Sequence, residues 1–405
     1  MRLKDFSVLN PQYKGESLDC EVSFVPMESL RNGAIDYQDI PFAEGKGKYT
    51  YFQDGDLLVA KVTPCFENGN IAIANNMKQG VGLGSSEIFV LRMNDKVLNT
   101  YMFYITQTAK FQEGACATMC GVGGLKRISP LFMRTYELDI PSLSKQQHIV
   151  DYLGVKLGKI DARIAVLEKQ QDVYARLKKS VIHQTVTRGL NPNVPLKDSG
   201  VEWIGMIPEH WEVKRIKELC SFVSRGATPN YVDEGEYKVM NQAVFSTGNL
   251  NHKVVRYSSY MKSESQIKKG DLLIASTGGG VLGKLYFFDD EDLNFYADTH
   301  VTIVRSEKGL FCVKFLFYLL SYQFDMVNAC MAKGSTNQTE LQRDCLLSYE
   351  LAIPSLVEQQ TIIAYLDEKC AKIDTATENI GKQIDALKRL KRALINEVVT
   401  GQRAV

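Results

Sequence analysis

The chain has 405 residues, enough for two or three domains, and its composition is that of an ordinary globular protein. Its 48 Lys and Arg residues against 47 Asp and Glu give a formal net charge of +1, which excludes a protein that holds nucleic acid by overall charge alone. No stretch reaches the roughly 18 apolar residues of a membrane span, no signal-peptide pattern is visible, and the nine cysteines form no regular framework, so we expect a cytoplasmic protein.

The first 140 residues predict a mixed α/β domain with several short strands. Apolar runs separated by Gly and Asn turns predict strands at residues 56–60, 71–74, 88–91 and 136–140. Residues 101–108 predict a short helix, and residues 114–124 are expected to form a glycine-rich loop. We assign residues 1–140 to this first domain.

A segment of 48 residues occurs twice in the chain and is the strongest signal in the sequence. Residues 140–187 and 353–400 align without a gap at an offset of 213 and are identical at 22 of 48 positions. In both copies large apolar side chains recur at every seventh position, as a pair of packed helices requires. This helix-pair seam consists of Leu153, Ile160, Leu167, Tyr174, Val181, Leu366, Ile373, Ile380, Leu387 and Leu394.

The repeated segment predicts two long helices, at residues 141–190 and 353–402, that pack on each other. Ser355 with Glu358 has the spacing of a capping box at a helix start, and Ser144 with Gln147 has the same spacing. The alternative is a pair of amphipathic helices inside one globular core. It is disfavoured because core helices rarely keep a seven-residue stripe over five repeats.

The second half of the chain repeats the plan of the first. Residues 191–208 are polar and contain Pro and Gly, which predicts a linker, and residues 209–352 predict a second mixed α/β domain. Within it, residues 270–275 resemble residues 55–60, whereas the loops that follow these two segments are unlike each other. A common frame with different loops predicts that the two domains recognise different targets with the same geometry.

The sequence lacks the motifs of phosphate-loop nucleotide-binding enzymes and of amino-methyltransferases. It has no Gly-x-x-x-x-Gly-Lys-Ser/Thr phosphate loop and neither of the two sequence motifs of amino-methyltransferases. Cys116 and Cys120 are the only close pair of cysteines and have no neighbouring histidine, which disfavours a metal site. We predict a chain without catalytic activity, without a metal site and without a cofactor of its own.

The start of the second half and the starts of the two long helices carry a resemblance to a known family. Residues 200–211, Gly-Val-Glu-Trp-Ile-Gly-Met-Ile-Pro-Glu-His-Trp, resemble the opening of a target-recognition domain in specificity subunits of type I restriction-modification enzymes. The sequence Ile-Pro-Ser-Leu at 140–143 and 353–356, followed each time by Gln-Gln and Tyr-Leu, is similar to the starts of that family's two central helical regions.

This resemblance implies an α+β fold class, with two similar mixed α/β target-recognition domains separated by a pair of long antiparallel coiled-coil helices in a pseudo-two-fold repeat. It also implies a sequence-specific subunit of a host-defence system that reads a bipartite double-stranded DNA target and directs its partners to it. Those partners are two methylation subunits and, in the full complex, restriction subunits. S-adenosylmethionine, ATP and magnesium are expected only in the partner subunits.

Polar side chains at the loop tips of both domains are the candidates for contact with DNA. Arg and Lys are suited to guanine, Asn and Gln to adenine, and Ser and Thr to phosphates or bases. These candidates are Lys61, Asn70, Lys126 and Arg127 in the first domain and Arg225, Thr228, Thr277, Lys284, Lys333, Thr336, Asn337 and Gln338 in the second. For each of them, an ordinary solvated loop residue is the alternative interpretation.

Two other functions remain open from the sequence. One is a non-enzymatic adaptor that binds protein partners across a helical spacer, because different loops on a shared frame suit that role too. The other is a fused methyltransferase or nuclease, which would require activity of the isolated chain with a methyl donor or magnesium.

Overall fold

The computed structural model describes residues 1–15, 18–122, 124–278, 280–306, 311–322, 332–333 and 339–405. The chain divides into two units, the first formed by residues 1–169 with 380–405 and the second by residues 170–379. Each unit therefore contains one set of sheets together with parts of both long helices. Among the described residues, none of the helices combines the length and the apolar character that a membrane span requires.

The described part of the first unit contains two four-stranded sheets and two hairpins. Its strands are β1 Ser7–Leu9, β2 Glu21–Val25, β3 Leu30–Arg31, β4 Ala34–Ile35, β5 Gln38–Pro41, β6 Thr50–Gln53, β7 Leu57–Ala60, β8 Ile71–Ile73, β9 Val81–Gly84, β10 Ile88–Met93, β11 Cys120–Val122 and β12 Leu125–Arg127. One sheet has the order β1-β10-β7-β8 and the other β5-β2-β9-β6, with β2 and β9 parallel. All four residues of β7 are buried, because this central strand is covered on both faces.

Among its described residues five α-helices begin in this unit, and two sequence predictions about it were wrong. The helices are α1 Phe42–Gly45, α2 Asn99–Thr106, α3 Ala109–Ala117, α4 Pro130–Thr135 and the long α5 Leu143–Arg188. The predicted glycine-rich loop at 114–124 is partly helical, because the Thr108 hydroxyl accepts a hydrogen bond from the Phe111 N–H and caps α3. The predicted strand at 136–140 is reduced to one bridge between Glu137 and Arg2.

The second unit repeats this plan. Its strands are β13 Leu196–Asp198, β14 Met206–Pro208, β15 Glu212–Arg215, β16 Phe222–Arg225, β17 Tyr231–Val232, β18 Tyr237–Met240, β19 Arg256–Ser258, β20 Leu272–Ala275, β21 Leu285–Phe287, β22 Phe295–Ala297, β23 Val301–Arg305, β24 Ala332–Lys333, β25 Glu340–Leu341 and β26 Glu350–Ile353. The sheet β16-β23-β20-β21 matches β1-β10-β7-β8, and in the sheet β17-β19-β18-β22 the parallel pair is β18 with β22. The described helices are α6 Ile216–Leu219, α7 Gln242–Phe245, α8 Val313–Tyr322, α9 Arg343–Ser348 and the long α10 Leu356–Val399.

Residues 191–208 are more ordered than a simple linker. Strands β13 and β14 pair as a hairpin within this segment. Ile207 and the following Trp211 are fully buried, and the Trp211 indole N–H donates to the Glu358 carboxylate at 3.2 Å. The burial of these apolar residues fixes a segment that its polar composition alone marked as a linker.

The two long helices differ from their predicted spans by two or three residues at each end, and they pair in both units. In the first unit, Lys391 of α10 donates to Asp161 of α5 at 2.7 and 2.8 Å. In the second unit, Lys178 of α5 donates to Asp374 of α10 at 2.6 and 2.7 Å. Because 161 and 374, like 178 and 391, differ by 213, the repeat makes the same ion pair twice.

The pairing is antiparallel. Within the second unit, Lys178 lies against Asp374, and the earlier Gln171 reaches the carbonyl of the later Thr377 at 3.4 Å. Of the seam residues, Ile160, Tyr174, Val181 and Leu387 are half-buried, and the other six are buried. The fold class predicted from the sequence, two similar mixed α/β domains with a pair of long antiparallel helices, is confirmed.

A buried glutamine fixes the start of each long helix to its sheets. The Gln146 amide accepts from the Leu98 N–H at 2.9 Å and donates to the carbonyls of Lys96 and Pro141. The equivalent Gln359 accepts from the Cys312 N–H at 3.0 Å and donates to the Pro354 carbonyl. Each amide satisfies backbone groups that would otherwise be buried without partners.

A buried carboxylate–arginine pair also occurs once in each unit. Asp56 accepts from Arg92 at 2.9 and 2.7 Å, and Asp271 accepts from Arg305 at 2.7 and 2.6 Å. The two aspartates also accept equivalent backbone N–H groups, at 2.8 Å in the first unit and 2.7 Å in the second. These pairs hold the central strands β7 and β20 to β10 and β23 in the same way.

Replacing Asp271 with Ala is expected to lower the free energy of unfolding by about 3 kcal/mol, because the Arg305 guanidinium loses its charge partner. Asp271 is 1% exposed and the Arg305 side chain 23% exposed, so water replaces the lost bonds only in part. Denaturant unfolding of the variant measures the change. Glu291→Ala removes a carboxylate that is 85% exposed and is the control; equal losses in the two variants would contradict the importance of the buried pair.

Candidate nucleic-acid interface

An exposed hairpin brings two of the predicted DNA-contacting residues of the first unit together. All described residues of β11 and β12 are exposed, and the Val122 side chain is 90% exposed. The hairpin is fixed to the loop after β7 by a bridge between Val62 and Arg127. The Thr63 N–H donates to the Lys126 carbonyl at 2.9 Å, and the Lys126 N–H donates to the Thr63 hydroxyl at 3.0 Å.

Arg127 is held by the carboxylate of Glu87, a residue that was not among the predicted DNA-contacting residues. Its Nε donates to Glu87 Oε2 at 2.8 Å and its Nη2 donates to Glu87 Oε1 at 2.9 Å. The hydrogen bonds from Arg127 lower the pKa of the Glu87 carboxyl, and the same bonds raise the pKa of the Arg127 guanidinium. The pair is therefore ionised at neutral pH, with the arginine side chain half exposed.

Lys61 lies beside this pair but its ammonium is used internally. Its Nζ donates to the Ser86 carbonyl at 2.6 Å and lies 4.7 Å from the centre of the Phe89 ring. Burial lowers the pKa of the Lys61 ammonium, and the nearby Glu87 carboxylate opposes that shift. The Lys61 charge thus contributes to the local electrostatic potential, while one of its three N–H donors is bonded within the protein.

The other two candidates of the first unit differ in exposure. Lys126 is exposed on β12 and is free to reach solvent. Asn70 is only 8% exposed, and its backbone N–H and carbonyl bond Cys65 and Ala60. Its position at the edge of the core leaves little of the side chain for a ligand.

The second unit builds the same contact from different residues. Thr277 forms a bridge with Glu340, and the Gly278 N–H donates to the Thr339 carbonyl at 3.2 Å. The Leu341 N–H donates to the Ser276 carbonyl at 2.9 Å, as the Ile128 N–H donates to the Lys61 carbonyl at 3.0 Å in the first unit. Loops without sequence likeness are thus held by equivalent backbone hydrogen bonds.

Two clusters of polar side chains surround the loop after β20, one at Thr277 and one at Arg225. The Thr277 hydroxyl lies 2.7 Å from His300 Nδ1 and donates to the Gln242 amide oxygen at 3.3 Å. Arg225 on β16 donates from Nη2 to Glu340 at 3.2 Å and to the Leu341 carbonyl at 3.3 Å. Predicted Arg225 and Thr277 therefore lie on one site, although Gln242, His300 and Glu340 were not predicted.

The remaining predicted DNA-contacting residues of the second unit are Thr228, Lys284, Lys333, Thr336, Asn337 and Gln338. Thr228 is exposed after β16, and Lys284 is half-buried with its carbonyl bonded to the Ala275 N–H. The backbone of Lys333 pairs with that of Glu340 in the ribbon β24-β25. The Lys333 side chain and the residues Thr336, Asn337 and Gln338 lie outside the described part of the chain.

The missed residues carry a signal in the internal repeat. Glu87 and His300 differ by 213 in number, as do Arg127 and Glu340, so each pair occupies one equivalent position of the two units. At both positions the side chain differs between the two units in its charge or in its hydrogen-bonding groups, whereas the loop–hairpin backbone contact is the same. Comparison of the two halves at this offset would have pointed to the three that were not predicted, Glu87, His300 and Glu340. Within the described ranges, no three His, Cys, Asp or Glu side chains are grouped so as to hold a metal ion.

Comparison with known proteins agrees with this architecture. Residues 208–386 match the sequence model of the type I restriction modification DNA specificity domain. The MjaVIII type I restriction enzyme specificity subunit from Methanocaldococcus jannaschii is 25% identical over 332 residues, which cover 79% of this chain and 74% of that protein. The chain is thus similar to type I restriction-modification specificity subunits, in its second half by the sequence model and over most of its length by this relative. This similarity agrees with the family resemblance read from the helix starts and from residues 200–211.

A second specificity subunit, EcoEI from Escherichia coli, is more similar over a shorter stretch. The identity is 34% over 152 residues, which cover 36% of this chain and 26% of that subunit. The aligned part of this chain thus spans about a quarter of the length of that relative. The matched model is described as a DNA specificity domain and these relatives as specificity subunits.

A solved structure supports the fold over nearly the whole chain. Its description is the structural basis underlying complex assembly and conformational transition of the type I R-M system. It superposes on this chain with a TM-score of 0.77. The match covers 98% of this chain and 96% of that chain at 16% sequence identity. At this identity the likeness establishes the fold and leaves the contacts of individual side chains to be tested.

Proposed function

We propose that this chain is a specificity subunit that reads a bipartite double-stranded DNA target, one half with each unit, and directs methylation and restriction subunits to it. The observation that carries the proposal is the repeated loop–hairpin contact. Val62 with Arg127 and Thr277 with Glu340 form the same bridge on the same frame, with different side chains around it. Equal geometry with different donors and acceptors is what two readers of different sequences require.

The side chains at these loops have the chemistry of base and phosphate contacts. Arg127, Lys126 and Thr228 are exposed or half exposed and offer donors to phosphate oxygens and to base edges. With a net charge of +1 on the whole chain, the partner subunits share the contacts with phosphates. The chain itself does no chemistry in this proposal.

The partners are two methylation subunits and, for cleavage, restriction subunits. S-adenosylmethionine, ATP and magnesium then belong to those partners. The complex acts in the cytoplasm, where thiols such as those of the described cysteines stay reduced.

A binding assay with the methylation partner and duplex DNA tests this function. We expect a sequence preference and an affinity that falls steeply as the salt concentration rises, because phosphate contacts release counterions. A scrambled duplex of equal length and composition is the control. Binding without sequence preference and without salt dependence would favour the adaptor function in place of DNA reading.

A further inference from the structure

The first unit contains a half-exposed arginine, Arg127, that a carboxylate holds by one edge. We propose that Arg127 contacts a guanine in the half of the target bound by the first unit, and that Glu87 is its positioning residue. The inference rests on the proposed function and assigns a base, a reading residue and a supporting residue to that site.

The geometry of the ion pair leaves a defined set of donors free. Glu87 occupies the Nε–H and one Nη2–H of Arg127, at 2.8 and 2.9 Å. A guanidinium has five N–H donors in a rigid plane, so the two Nη1 hydrogens and the second Nη2 hydrogen remain. Two of these three point from the end of the side chain as a parallel fork.

A guanine presents the matching pair of acceptors. Its O6 and N7 face the major groove side by side, and a bidentate arginine is the commonest specific contact to them. Adenine places an N6 amino donor where guanine has O6, so a donor would face a donor. The Arg127 fork therefore discriminates between the two purines through hydrogen bonding alone.

The Glu87 carboxylate holds the plane of this fork, which a free arginine has to fix on binding. A long side chain loses rotamer freedom on binding, and a contact that already fixes its plane reduces that loss. The Glu87 side chain is 31% exposed and the Arg127 side chain 50%, so the pair lies at the surface with its free edge reachable. Lys61 does not offer a planar fork, and one of its three N–H donors is bonded to the Ser86 carbonyl.

The second unit lacks this arrangement at the equivalent positions. Glu340 stands where the first unit has Arg127, and His300 stands where it has Glu87. Glu340 accepts a single hydrogen bond from Arg225, at 3.2 Å. Arg225 reaches Glu340 through Nη2 alone, so at these two described positions the second unit does not hold an arginine by its Nε and Nη2 as Glu87 holds Arg127.

The test is a selection of methylated sites from a duplex library, with this chain assembled with its methylation partner. Arg127→Ala is expected to reduce the preference for one G·C pair in one half of the target on the order of tenfold to a hundredfold. Arg127→Lys keeps the charge and loses the fork, so it is expected to lose most of the same preference. Glu87→Gln is expected to weaken the preference at that position and at no other.

Lys78→Ala is the matched control, because it removes another ion-paired surface cation of the same unit. It is expected to leave the target unchanged. The inference is overturned if Arg127→Ala leaves every position unchanged, lowers binding equally for all sequences, or alters a position that is not G·C. A wild-type complex with no sequence preference would instead refute the proposed function.

Discussion

Replacing residues 209–352 with the corresponding domain of a relative is expected to change one half of the methylated target and to leave the other half as it was. The replaced segment contains the whole loop–hairpin site of the second unit, including Thr277, Glu340 and Arg225. The first unit has its own buried core and its own site at Arg127 and Glu87, and neither includes residues of that segment. Sequencing of methylated genomic DNA measures the outcome.

The reciprocal replacement of residues 1–140 is the matched experiment. It is expected to change the half that the first exchange leaves intact. In both hybrids the incoming domain has to offer a backbone N–H to the buried Gln146 or Gln359, since these amides fix the long helices to the sheets. A change in both halves from a single exchange would contradict the independence of the two readers.

Leu167→Asp is expected to lower the free energy of unfolding by about 3 to 5 kcal/mol. The Leu167 side chain is 2% exposed, so the substitution removes buried apolar surface and places a carboxylate where water is excluded. Ile380, which is 7% exposed on α10 in the same unit, is expected to behave alike. Denaturant unfolding followed by circular dichroism gives both values.

The neighbouring residue supplies the control for that substitution. Val166 precedes Leu167 on α5 and is 49% exposed, so Val166→Asp is expected to cost less than about 0.5 kcal/mol. The two variants have the same charge and nearly the same position in the sequence. Similar stability of both would mean that the seam is not a buried contact.

The long helices could be read from the sequence because their information is local and repeated. A seven-residue spacing of apolar side chains allows one kind of packing, and two copies of it specify a partner. The helices Leu143–Arg188 and Leu356–Val399 accordingly lie within three residues of the predicted spans. The sheets were visible where buried strands such as Leu57–Ala60 and Leu272–Ala275 form continuous apolar runs.

The predictions were weaker where structure depends on contacts between distant residues. Gly114 marked a loop, yet α3 extends through it because Thr108 caps the helix and Phe111 is buried. The hairpin at 196–208 was predicted to be a linker because the buried Ile207, and Trp211 just after it, are outnumbered by polar residues. Local composition does not report such anchors.

The candidate site was predictable by residue type and only partly by arrangement. Arg127 was named because arginine suits guanine, but its bonds to Glu87 join residues that lie 40 positions apart. That contact depends on the register of β10 and of the hairpin, which no local pattern encodes. The polar group of Thr277, Gln242 and His300 likewise comes from three separate segments of the second unit.

The most direct test of the account is a genome-wide map of methylated bases in cells that contain this chain with its methylation partner, compared with cells that lack the chain. We predict one methylated motif made of two short defined sequences at a fixed separation, and its complete loss when the chain is removed. A single uninterrupted motif, or methylation that persists without the chain, would contradict the account.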